Sequence, residues 1–145
     1  MFLDNIPVHN LDESDFFVAE RIENCAPLNF RGSHCHNFYE LLFFMETGPE
    51  ESHSIDFTEH PLQSNQIFLI RPGQVHTMKL KEQKGFLFAI NRDYFERLCL
   101  HIESYADYSF PDILTLPDSE APAVRRIADL IYAEHEGLHR KSLLN

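Results

Sequence analysis

Residues 34–48 read HCHNFYELLFFMETG, and residues 66–76 read QIFLIRPGQVH. In the first stretch His34, His36 and Glu40 have one parity, so on a β-strand their side chains share a face. Leu42 and Phe44 continue that face, while Leu41, Phe43 and Met45 make the opposite face equally apolar. A strand buried on both sides belongs in a sandwich or barrel whose outside is also covered. The second stretch ends a β-rich run in the turn signal Arg71-Pro72-Gly73, and His76 follows at once. Two such strands wrap a small pocket with His34, His36, Glu40 and His76 on its inner wall.

Working outward, Phe16–Ile22 reads as a strand, Ser52–Phe57 as a hairpin arm with Ile55 and Phe57 on one face, Leu62–Ile70 as one or two strands, and Gly85–Ile90 as another. Short strands at even spacing signal an antiparallel sandwich or small barrel. His53 and His60 fall in solvated loops on this reading. The period changes after Ile90. Asn91 is a good N-cap, and Phe95, Leu98, Cys99 and Ile102 recur at helical spacing. A loop over Tyr105–Pro117, in which Tyr105 and Tyr108 pack, precedes a second helix from near Asp118. That helix carries the stripe Val124, Ile127, Ala128 and Ile131, with Leu130 alongside, and Gly137 breaks it. The stripe is core or dimer seam; so Phe-rich a barrel favours the seam. His139–Asn145 begins an amphipathic segment that is not completed, the expectation being a longer parent protein. The division expected is a barrel over 1–90 and a helical segment over 91–145.

The charge excludes one large class. With 23 acids against 12 bases the chain carries −11, whereas a domain that holds phosphates needs a basic face. The cluster Lys79, Lys81 and Lys84 is interrupted by Glu82. No run approaches the ~20 apolar residues of a membrane span, and the N-terminus is acidic where a secretory signal is basic. Cys25, Cys35 and Cys99 are odd in number and lack CxxC spacing, which suits reduced thiols and a cytoplasmic location.

Three imidazoles and a carboxylate suit a divalent transition metal such as Fe, Mn, Zn, Ni or Cu. Because each imidazole must be neutral to ligate, affinity should then fall as pH drops through about 6.5. Cys35, of opposite parity, faces away. The metal-free alternative lines the pocket with the same four residues, Glu40 pairing with Arg71 or a histidine.

HxHxxxE, then P-G-x-x-H after a strand, resembles the two motifs of the cupin superfamily. That resemblance implies a mainly β, double-stranded β-helix (jelly-roll) fold and a metal set of His34, His36, Glu40 and His76. The pattern departs at Gln66, where a glycine is expected, and at Leu80, where an asparagine is expected. HCHNFYELLFFMETG with IFLIRPGQVH and the following Lys-Gly-Phe-Leu-Phe strand resembles, more specifically, the N-terminal sensor domain of AraC-family transcription regulators, over nearly the whole chain. What this implies is a small-molecule effector in the barrel, a homodimer through the two C-terminal helices, no catalysis, and DNA contact only through a helix-turn-helix part beyond these residues. The effector is left open among a sugar, an aromatic acid and a fatty acid. A stand-alone metal-dependent cupin enzyme, a dioxygenase or isomerase, is the alternative.

Overall fold

A computed structural model describes residues 8–11, 16–25, 32–79, 81–102 and 111–143, without the side chains of 139–143. Tyr105, Tyr108 and Leu80 lie outside the described residues. The elements run β1 (Val8–His9), β2 (Phe17–Arg21), β3 (Cys35–His36), β4 (Tyr39–Glu46), β5 (Ser52–Ile55), β6 (Thr58–Pro61), β7 (Gln66–Ile70), β8 (His76–Met78), β9 (Lys84–Ile90), α1 (Arg92–Leu100), β10 (Ile113–Thr115) and α2 (Ala121–Leu143). Five strands form one sheet in the order β10-β7-β4-β9-β2, and three form a second, β6-β5-β8.

Alternation along β4 builds both layers of packing. Leu42 and Phe44 point inward, joining Phe68, Ile70 and Leu87 of their own sheet and Ile55 and Met78 of the other. Phe43, with Leu41 and Met45, points outward onto Phe86, Phe88 and the α2 residues Ala121, Val124, Ala128 and Tyr132. The strand is therefore buried on both faces, and α2 is what covers the outside. The result is a mainly β, cupin-like sandwich with two C-terminal helices.

Several expectations change in detail. The run from His34 is two strands, interrupted at Asn37–Phe38, and the two-residue break preserves the parity of His36 and Glu40. Phe57 is no strand residue. With Asp56 it forms the two-residue turn between β5 and β6, both at positive φ (48° and 67°), as a type I′ hairpin requires. The expected Tyr105–Pro117 loop contains β10, which extends the large sheet by pairing with β7. Asn91 does cap α1, its side chain accepting from the Tyr94 amide at 3.1 Å, but of the expected stripe only Cys99 is buried, and Leu98 and Ile102 are exposed. Gly137 does not break α2. A helical glycine costs only about 1 kcal/mol relative to alanine, which packing on the sheet outweighs. The α2 stripe is divided: Val124 and Ala128 belong to the core, while Ile127, Leu130 and Ile131 are exposed.

Gln66, at the departure from the cupin pattern, is buried at the start of β7. It accepts from the Gln63 amide (2.8 Å) and donates to the Thr115 hydroxyl (3.2 Å), so it helps to hold β10 in place.

Candidate functional site: a buried imidazole cluster on a small cavity

His34 and His76 are joined by reciprocal backbone hydrogen bonds (3.1 and 2.9 Å), and His36 follows on β3. The ligand atoms of His34, His36 and His76 lie within 4.8 Å of one another, and all three residues are buried. Glu40, at the start of β4, brings Oε2 to 3.3 Å from His36 Nε2. Of the four residues singled out in the sequence the three histidines converge, and Glu40 reaches one of them, His36. Arg71 does not reach Glu40; it pairs with Asp112.

His53 is a correction. Far from a solvated loop, it sits on β5 with no exposed surface, and its Nε2 is 3.0 Å from His76 Nδ1. The signal was available: His53 has the parity of Ile55, so the alternation that buries one buries the other. His60 is also a strand residue, half-buried on β6 opposite His53.

Hydrogen-bond partners fix much of the tautomer pattern. His34 Nδ1 donates to the Gly32 carbonyl (3.2 Å) and His36 Nδ1 to that of Phe38 (3.0 Å), since a carbonyl only accepts. Both rings therefore leave Nε2 for the cluster. His36 Nε2 stands 2.9 Å from His76 Nε2. With His36 neutral, His76 donates to it and His53 donates to His76, which leaves His53 Nδ1 as a bare acceptor. That nitrogen has no hydrogen-bond partner among the described residues; an N–H there would be an unsatisfied buried donor. Burial disfavours the charged form of three of these rings: it pulls His76 down to about 2 and His53 to about 3, with neighbouring histidines adding to the effect, and it lowers His34 as well.

The donor set fits a metal ion. Two nitrogens bound at about 2.1 Å at a right angle stand about 3 Å apart, close to the His36–His76 spacing. Carbonyl bonds to the far ring nitrogens orient ligands in the way metal sites require. Binding through His76 Nε2 would reverse its bond to His53.

Beside the cluster lies a cavity of about 230 Å³. Histidines 9, 34 and 36 form one side with Glu40; Val18, Glu20, Leu87 and Ala89 belong to β2 and β9, and Phe38 completes the lining. His9, which the sequence reading did not single out, stands edge-on to His34 at 5.2 Å. Glu20 was likewise missed, for its strand offers no motif.

Two packed sheets with a cavity beside the imidazole cluster define a sandwich of cupin-like type. A family model for the AraC-like ligand binding domain matches residues 16–144, and the chain belongs to that family. No curated protein matches it.

Proposed function

We propose that this chain is the effector-sensing and self-associating part of an AraC-type transcription regulator, working in the cytoplasm. The observation that carries the reading is the cavity beside His34, His36 and Glu40 in a chain of the AraC-like ligand binding family. A small molecule in that cavity changes how the helices of two copies pair, and so repositions DNA-binding segments elsewhere in the protein. It can do so only by as much as its affinity differs between the two arrangements. No helix among the described residues is long and apolar enough to cross a membrane.

The charge of −11 argues against phosphate contact by this chain, and the proposal therefore gives DNA contact to other residues. A mobility shift on the parent gene's upstream region tests this. The full gene product should retard that DNA sequence-specifically and this chain alone should not; specific retardation by the chain alone overturns the division of labour.

A second reading is supported by the cluster itself. His34, His36 and His76, with Glu40 beside them, would hold a divalent transition metal. The ion would supply Lewis acidity, the His36 and His34 rings being held by their carbonyl bonds. A stand-alone cupin enzyme is the form this reading takes if chemistry follows.

A further inference from the structure

We propose that the cavity takes a small organic cation, with Glu40 as its counter-ion and Glu20 as a second negative charge at its rim; the inference rests on the ligand-sensing reading above. Strand register places the two carboxylates on one face. Glu40 pairs with Ala89, which pairs with Val18, and in the next inward-facing row Leu42 pairs with Leu87, which pairs with Glu20. The carboxylates are thus two strands apart, about 10 Å across the sheet, and Ala89, Leu87 and Val18 form an apolar strip between them. Among the described residues no lysine or arginine lines the cavity.

Glu40 is only half partnered among the described residues. It is 6% exposed, and among the described residues its Oε1 has no hydrogen bond. Its Oε2 is 3.3 Å from His36 Nε2, a nitrogen it shares with His76 Nε2 at the shorter distance of 2.9 Å. A buried carboxylate in that position is costly unless a positive group joins it. An ammonium or amidinium supplies both the charge and the missing donors. An anion would meet two carboxylates. A bare metal ion would use the imidazole corner and leave the apolar strip without an occupant. At about 230 Å³ the cavity is below the roughly 300–1,000 Å³ of drug-sized sites, so the cation is small.

Three probes of one shape separate charge from fit: benzamidine (cationic), benzamide (neutral) and benzoate (anionic). Binding of each to the whole chain, treated with chelator so that only the protein's own charges act, is measured by calorimetry and ligand-observed NMR. Benzamidine should bind at least about tenfold more tightly than benzamide, with benzoate weakest, because a charge pair away from bulk water is worth far more than one in it. Glu40→Gln should abolish that order. Glu20→Gln, at an exposed position of the rim, should reduce the benzamidine preference severalfold. Equal binding of all three, or a preference for benzoate, overturns the cation assignment and leaves the ligand-sensing reading standing. No binding by any of them overturns the proposal together with the use of this cavity as a ligand site.

Discussion

His36 carries three relations through one ring: a carbonyl bond at Nδ1, and both His76 and Glu40 at Nε2. If the cluster holds a metal, its pH dependence follows from burial rather than from the ordinary imidazole value. With His76 lowered to about 2 and His34 also lowered, protons compete less for these two nitrogens than for ordinary imidazoles, so zinc should survive a drop from pH 7.5 to 5.5 better than at a site of exposed histidines. Elemental analysis after dialysis against zinc at both values checks this. His36→Ala should lose most of the metal; Cys35→Ala should lose none, since Cys35 is outside the cluster. Wild-type protein without metal at either pH removes the metal reading, and loss in Cys35→Ala would place the wrong side of the strand inside. Parity alone brought His34, His36 and Glu40 together in the sequence, and the turn brought His76. His53 escaped because a histidine between two serines looks solvated, although its burial was written in the parity of Ile55.

β4 and β9 are joined at a spot that only glycine can occupy. A Cβ on Gly85 would fall 1.8 Å from the Phe43 carbonyl oxygen, beside the register shift between Phe44 and Glu46. Gly85→Ala must push two central strands apart, and overpacking of this kind costs typically 1–3 kcal/mol and occasionally more. We expect about 3 kcal/mol, roughly a 6–12 °C fall in Tm by calorimetry; an unchanged Tm would mean that the strands meet in another register. At this scale the sequence was legible where patterns were long: β4, β9 and the cap of α1. It was not where an element depends on a distant partner. Ile113–Thr115 is too short to announce a strand, and becomes one because the β7 edge is there to pair with. Gly137 looks like a stop until the sheet beneath α2 is known.

Over the whole molecule, α2 has two apolar faces. One is spent on the sheet; the other leaves Ile127, Leu130, Ile131 and Leu138 exposed. The proposed homodimer buries that second face. Sedimentation of the wild type and of Ile127→Asp tests it: the charge should weaken association by about 30-fold or more, the scale of a hot-spot residue. Protomer stability should barely change, because a side chain 57% exposed contributes little to its own fold. A monomeric wild type, or a variant that remains dimeric, takes α2 out of the interface. The outer stripe of α2 was visible in the sequence, but its division between core and surface was not, since both halves are apolar and only the orientation of the helix on the sheet separates them.

The large sheet is a partition one peptide thick. Glu40 looks into the cavity and Leu41, its neighbour, lies against the packing under α2; the same is true of Leu87 and Phe88 on β9. Nothing separates the two compartments but the backbone they share. Like the skin of a drum, such a partition cannot be pressed on one side without moving on the other. An occupant that draws Glu40 inward by a fraction of an ångström therefore needs no relay of side chains to be felt by the helix.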